Sequence, residues 1–474
     1  MAPVSKPSES TAPQRKRPRG LKKPSSSEAS DKRQKTHTPL ESNVNDDNGP
    51  TLIVSAPTTT DGDPIAEVEA VLKEAEEKIE VGDLHHALLL LRGTVHECDA
   101  MLRRADQSMI TANDEPESRS TSTVLTPLFH LIYAKALYSL GLVASEDFRD
   151  IEGQDGSQQI EEEPLLWFGA AIDRCDVGVE CLSENPAIEP TSVKTQLESL
   201  QSKCLISQAH AHLMIIQDER IDELTSECIR NALTSYPAST PPKETCNFID
   251  LAIQTLSLLP RSNLDLITSL VELLEKKVVR TLIARLDSDD DDDTHGTELK
   301  TQARISLSQC QLIIVQSWLE LQDDDLSLDE DGNDEDENGK SEEPNTNRLV
   351  SSLSLSQIQS LLKSSQALLE SLNVPTNLEV DFHCALGETY LHLGAAAFLS
   401  TNSTSRKDDD NDNNSSNDDV EEEEVFYTMA RKQFGIVRCL EPERVPEGVF
   451  EILGEDGYEE GEDEDGGEEE TLMK

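Results

Sequence analysis

Four runs of acidic residues decide how much of this 474-residue chain can fold. Asp287–Asp293 carries a net −6, Gln322–Glu343 −11, Thr401–Glu424 −8 and Glu451–Lys474 −11. Like charges at that density repel one another and cannot enter a core, so the runs read as solvated and disordered. Residues 1–64, rich in Ser, Thr, Pro, Lys and Arg and without periodicity, read as a disordered arm. Hydrophobic residues reach only 36% and aromatics 4%, too few for 474 packed residues. Roughly 300 residues remain able to bury a core, enough for one long domain or two modest ones.

Within those residues the apolar pattern has a helical period. Val68, Val71, Leu72, Ala75 and Ile79 fall on one face of a first helix, which Gly82-Asp83 ends. Leu84 to Ala105 carries Leu88, Leu91, Val95, Cys98 and Leu102 on a second, and Leu125–Val143 holds Phe129, Ile132, Tyr133, Ala136 and Leu140 on a third. Further helices are expected from about Leu165, Thr191, Ile221, Lys243, Leu264, Gln302, Leu355, Leu378 and Glu423, and no segment alternates as a strand does. The expectation is an all-α chain.

Some of the helices carry repeat signals. Leu386-Gly387-x-x-Tyr390 matches the first helix of a tetratricopeptide pair. Ala430, Phe434, Val437 and Pro442 match its second, with the acidic run 401–424 inserted between them. Ile229, Ala232 and Pro237, and also Gly82 and Ala87, fit similar offsets. The expected fold is a helical-repeat solenoid, tetratricopeptide or HEAT-like, with acidic loops and tail. The boundaries are an arm at 1–64, a helical region at 65–144, a helical-repeat region at 164–453 and an acidic tail at 454–474. Acidic insertions are placed at 287–298, 322–347 and 401–424.

The chain carries 94 acidic and 41 basic residues, a net charge of −53, but residues 1–39 alone hold +7. Arg15, Lys16, Arg17, Arg19, Lys22 and Lys23 form one basic cluster and Lys32, Arg33 and Lys35 a second, across a Ser-rich spacer. This pattern suits the acidic grooves of nuclear import receptors, and it predicts a nuclear protein, with a cytoplasmic pool allowed. The body that follows would repel phosphates, so direct nucleic-acid binding by it is not expected. The acidic runs read either as solvated spacers or as a polyanion that holds basic proteins such as ribosomal proteins or histones.

Met1–Ser10 lacks an apolar core, which predicts no signal peptide, and apolar stretches such as Gln311–Leu321 and Leu391–Leu399 fall well short of the about 20 residues that a bilayer requires. Membrane association is therefore not expected. Nine scattered cysteines without a CxxC pair fit a reducing compartment and no structural zinc.

Catalytic patterns are sparse. His96-Glu97-Cys98-Asp99 places four reactive residue types together, but Ala100 stands where a zinc-binding HExxH helix needs its second histidine. Cys98 lies on the apolar stripe, which leaves His96, Glu97 and Asp99 fanned around the helix. His210 and His212 project roughly 200° apart on a helix. No phosphate-binding or nucleophile-elbow motif occurs. The expectation is a non-enzymatic chain without cofactor or metal.

One resemblance is specific. Gly93-Thr94-Val95-His96-Glu97-Cys98-Asp99-Ala100-Met101-Leu102-Arg103, followed by Phe129-His130-Leu131-Ile132-Tyr133-Ala134-Lys135-Ala136-Leu137, resembles the fungal enhancer of translation termination family. That family includes the nuclear negative regulator of an oxygen-sensing prolyl hydroxylase. Its members share a G-x-V-H-E-C-D-x-L-L-R segment and an F-H-x-I-Y-A-x-A-L segment, and a K-R-P-x-G-L motif is matched by Lys16 to Leu21. The resemblance implies a nuclear, helical, non-enzymatic adaptor linked to stop-codon fidelity and hypoxic gene regulation. The implied partners are a 2-oxoglutarate- and iron-dependent prolyl hydroxylase and its substrate, a small-subunit ribosomal protein. Gly93, Val95, His96, Glu97, Cys98, Asp99, Leu102, Arg103, Phe129, His130 and Tyr133 are the signature positions, with a structural or partner-binding role.

Overall fold

A computed structural model describes residues 63–112, 125–151, 164–184, 191–215, 223–288, 294–327, 353–405, 418–446 and 449. The basic clusters from Arg15 to Lys35 and the tail 454–474 lie outside the described residues. Among those described there are thirteen α-helices and no strand. They are α1 (Pro64–Glu80), α2 (Leu84–Ala112), α3 (Pro127–Ile151), α4 (Pro164–Glu184), α5 (Thr191–Ile215), α6 (Glu223–Ser235) and α7 (Pro242–Ser257). Then follow α8 (Leu264–Leu274), α9 (Arg280–Ser288), α10 (Thr294–Ser327), α11 (Leu355–Glu370), α12 (Glu379–Ser405) and α13 (Asp418–Leu440). A π-helical turn, Glu275–Val279, joins α8 to α9 without a break.

Local chemistry sets several of these ends. Asp63 caps α1, its carboxylate accepting from the Ile65 N–H at 3.0 Å, and Pro64 fills the first turn, where no donor is needed. Gly82 closes α1 with φ +76°, and Gly82 and Asp83 donate back to Ile79 and Lys78. This paired closure needs a left-handed residue, which glycine adopts without a Cβ penalty. Gly82 is thus a cap and not the packing residue its repeat offset suggested, whereas Ala87 is fully buried. Ser354 and Gln357 form a reciprocal capping box at α11.

The helices form pairs in two layers. First helices α1, α3, α5, α7, α10 and α12 each touch the next along one layer. Against them pack the second helices, α2, α4, α6, the α8–α9 rod, α11 and α13, each on its own partner. Six such pairs among the described residues make a helical-repeat stack. Its core is handed on from pair to pair. Leu197 of α5 belongs to a first cluster with Leu91, Phe129 and Leu140, whereas Ile206 of the same helix belongs to a second with Ile229, Phe248 and Leu270. Likewise α10 gives Cys310 to the second cluster and Val315 and Trp318 to a third, with Ile358, Tyr390 and Phe434.

The α12–α13 pair shows why small and large residues alternate at this spacing. A Cβ on Gly387 would stand 3.0 Å from the Phe434 ring, and one on Gly394 would stand 2.6 Å from Tyr427. Ala430, Phe434 and Val437 are fully buried. Full burial of a side chain such as Phe434 stabilises by about 1.5–3 kcal/mol.

Helices also run further than apolar periodicity suggested. α2 continues to Ala112 and α3 to Ile151. α10 begins at Thr294 and ends at Ser327, α12 reaches Ser405 and α13 starts at Asp418, all inside stretches expected to be acidic insertions. Periodicity marks only the part of a helix that packs. Polar turns beyond it remain helical.

Candidate interaction site

The signature segments meet where α2, α3 and α4 pack. α2 turns Cys98 fully into the first core and leaves Val95 and Leu102 half-buried against it, while α3 buries Phe129, His130 and Tyr133. The Tyr133 hydroxyl donates to the Asp99 carboxylate at 2.5 Å, and the Arg174 guanidinium of α4 lies 5.1 Å from the Tyr133 ring centre. The expected fan around α2 therefore needs one correction. Asp99 reaches α3 and pins it through Tyr133, because one step past Cys98 and four past Val95 it flanks the packed stripe.

The electrostatics of this junction are those of a structural site. Burial, then the neighbouring Asp99 and Glu97, pushes the Cys98 thiol up to about 12, so it stays protonated and unreactive. Burial, then the Arg174 charge, pushes His130 down to about 4, so its imidazole is neutral, and its Nδ1 has no hydrogen-bond partner. The Tyr133 phenol is raised, first by burial and then by the hydrogen bond to Asp99.

The remaining signature residues face outward. Gly93, His96 and Arg103 are exposed, and half-buried Glu97 pairs with exposed Arg104 at 3.0 Å, a surface contact worth at most about 1 kcal/mol. A Cβ on Gly93 would meet nothing within 4 Å. His210 and His212 separate as their spacing requires, with His210 against Thr255 of α7 and His212 Nδ1 2.6 Å from Thr225 Oγ1 of α6. Among the described residues no group of His, Cys, Asp and Glu is placed to hold a metal.

A second set of polar residues, not singled out by the sequence, runs across the first-helix layer. Asp250 of α7 accepts from Gln302 of α10 at 3.2 Å. Glu320 of α10 pairs with Arg261 at 2.6 Å, and Asp381 of α12 pairs with Arg444 at 2.5 Å. Half-buried Glu388 and His392 sit further along α12. Burial, then the like charge of Asp381, pushes Asp250 up to about 6, while burial alone pushes Glu388 up to about 7. Burial pushes His392 down to about 4 against the opposing pull of Glu320. The signal was present as Asp381, Cys384, Glu388 and His392, polar residues at steps of three and four in an otherwise apolar helix.

Comparison with known proteins places the chain. It is 35% identical over 113 residues to enhancer of translation termination 1 of Kluyveromyces lactis, a match covering 24% of this chain and 22% of that one. With the protein of the same name from Yarrowia lipolytica it shares 24% identity over 245 residues, 50% of this chain and 57% of the relative. The matches thus span less than two thirds of these relatives' own length. A solved structure described as the Schizosaccharomyces pombe nuclear import adaptor Nro1 overlays 80% of this chain and 98% of that one, at 14% identity and a TM-score of 0.40. Another, at TM-score 0.38, is described as the hypoxic regulator of sterol synthesis Nro1, a nuclear import adaptor. The sequence profile described as nuclear pore complex subunit Nro1 matches residues 14–422, well over half of the sequence, and the chain belongs to the Nro1 family.

Proposed function

We propose that this chain is a non-enzymatic nuclear adaptor that holds a partner protein on its helical stack, acts in nuclear import of that partner and supports correct translation termination. The observation that carries this reading is the family match across residues 14–422, which takes in the basic clusters from Arg15 onward together with α1 to α12. The basic arm, residues 1–64, is the segment for an import receptor, through Arg15, Lys16, Arg17, Arg19, Lys22, Lys23, Lys32, Arg33 and Lys35. The stack is the segment for cargo, because paired helices offer a long rigid face for a protein ligand. The partner class is a 2-oxoglutarate- and iron-dependent prolyl hydroxylase, its small-subunit ribosomal protein substrate, or both, and the process is hypoxic gene regulation. The names of the fungal relatives and of the solved adaptor support the reading, as does a signature junction in which the Cys98 thiol stays protonated and the His130 imidazole neutral.

A pull-down from nuclear extract at low and high salt tests it, with the full chain and a variant lacking the four acidic runs. A prolyl hydroxylase retained by both forms at high salt supports the adaptor. His96→Ala plus Glu97→Ala, on the exposed side of the signature helix, is expected to weaken retention while circular dichroism is unchanged. Retention of basic proteins alone, only at low salt and only with the runs present, contradicts it in favour of a polyanionic chaperone, since screening shortens charge interactions to a few ångströms.

A further inference from the structure

The π-helical turn inside the α8–α9 rod shapes a pocket. Within the turn the Arg280 N–H donates back to the Glu275 carbonyl, five residues earlier. An extra residue in a turn changes which side chains fall together, and such turns recur at functional sites. Lys277, Thr281 and Arg285 follow at steps of four and so share one side of the rod. With Tyr236 and Pro237 of the turn after α6 and Thr245 of α7 they line a pocket of about 210 Å³.

The wall opposite the rod is braced. The Tyr236 ring stacks on buried Phe248 at 4.0 Å between centres, and its hydroxyl donates to Thr245 at 3.5 Å. Half-buried Arg285 is held by one nitrogen, its Nη1 donating to the carbonyls of Ala238 and of Thr240, the latter at 2.9 Å. Among the described residues its Nε and Nη2 have no partner, and neither has the exposed Lys277 ammonium. The carboxylates nearby are committed elsewhere. Glu272 pairs with Lys276 at 2.6 Å, Glu275 with Arg280, Asp287 with Arg304 at 3.2 Å and Glu244 with Lys203 at 3.4 Å.

Two uncompensated cations thus meet at one pocket in a chain of net charge −53. A fixed guanidinium with a free edge fits the two oxygens of a carboxylate, and a lysine beside it adds charge. The volume lies below the about 300 Å³ at which small-molecule pockets begin, so it suits a side chain and not a nucleotide. A nucleic acid would also press its further phosphates against an acidic body.

We propose that this pocket binds one acidic side chain of a partner protein, its carboxylate received by Arg285 with Lys277 at the entrance. The inference rests on the adaptor reading in that the ligand is a protein segment, and it adds a contact outside the signature junction.

The test uses the full chain and a short rhodamine-labelled glutamate–glycine peptide, with a glutamine–glycine peptide as control. Binding is followed by fluorescence anisotropy at about 0.15 M salt, where charges more than about 8 Å apart are largely screened. The acidic runs repel this probe, so general charge attraction cannot imitate binding. Saturable binding of the glutamate peptide alone is expected. Lys277→Glu, a change at an exposed side chain, should weaken it by more than about tenfold. Arg285→Lys, which loses the paired donors, should weaken it about fivefold. Lys363→Glu, on the exposed side of α11, should leave it unchanged. No saturable binding, or equal weakening by Lys277→Glu and Lys363→Glu, overturns the proposal. Binding that appears only when Asp289–Asp293 is replaced by glycine and serine also overturns it, since the chain's own acidic run then fills the pocket. If the peptide does not bind while the chain still retains its nuclear partners, the pocket fails and the adaptor stands. If Lys277-dependent binding is found but no nuclear partner is retained, the pocket stands and the adaptor fails.

Discussion

The junction of α2, α3 and α4 and the polar row across α7, α10 and α12 both sink ionisable side chains among packed helices, but they leave them in different states. At the junction Asp99 is bonded to Tyr133, and Arg174 lies near the same ring. In the row half-buried Glu388 is held by no ion pair among the described residues, and burial pushes its carboxyl up to about 7. Buried charge that is satisfied fixes how helices sit on one another. A charge that is drawn among packed helices without being satisfied costs stability. The signature that marks the family by sequence therefore serves largely as a joint between helices.

The comparison can be broken at its strongest point by emptying the joint. Phe129→Ala removes a fully buried ring that contacts both His130 and Tyr133, and a loss of about 3–5 kcal/mol is expected in urea unfolding. A loss below about 1 kcal/mol would mean that the joint is not packed as described.

Tyr133→Phe keeps the ring and removes the hydroxyl, leaving Asp99 without its donor. The expected loss is about 1.5–3 kcal/mol, as for hydrogen bonds to charged groups. A neutral effect would show that the Asp99 pairing contributes nothing.

The polar row should behave in the opposite sense. The Glu388 carboxyl rises from its ordinary 4.5 to about 7 in the folded chain. Between those values the folded state binds more protons than the unfolded state, so this group's contribution to stability falls as pH rises from 4.5 through 7. Glu388→Gln removes that dependence, and the variant should gain on the parent chain by about 1–2 kcal/mol between pH 4.5 and pH 8. Thermal unfolding at a series of pH values checks the sign. A variant that loses ground as pH rises would indicate a carboxylate already paired.

The smallest effect sharpens the division within the signature. Gly93 stands mid-helix with open space where a Cβ would be. Gly93→Ala should therefore stabilise the free chain by about 0.5–1 kcal/mol through helix propensity. A loss in thermal unfolding would mean that the glycine serves packing after all.

The helical class and pairing were legible because packed helices impose a period and because close approach demands small residues opposite large ones. Gly387, Tyr390, Ala430 and Phe434 kept that logic across the acidic run between them. Helix lengths were less legible, since polar turns such as those beyond Ala105 or before Gln302 extend a helix without an apolar mark. The joint was half legible. Cys98 and Phe129 announced burial, but the turn of Asp99 toward Tyr133 depends on a helix thirty-four residues away. Glu388 and His392 were missed because a polar residue in an apolar helix looks like an exposed one, and only the layer of first helices shows what it faces.

Nuclear import is measured most directly in living cells, by comparing the nuclear proteome with and without this chain and restoring it with chosen variants. The adaptor reading predicts that a small set of proteins leaves the nucleus when the chain is absent. Those proteins should return with the full chain, and stay out when residues 1–39 are removed. An unchanged nuclear proteome, or full rescue without the basic arm, would contradict it.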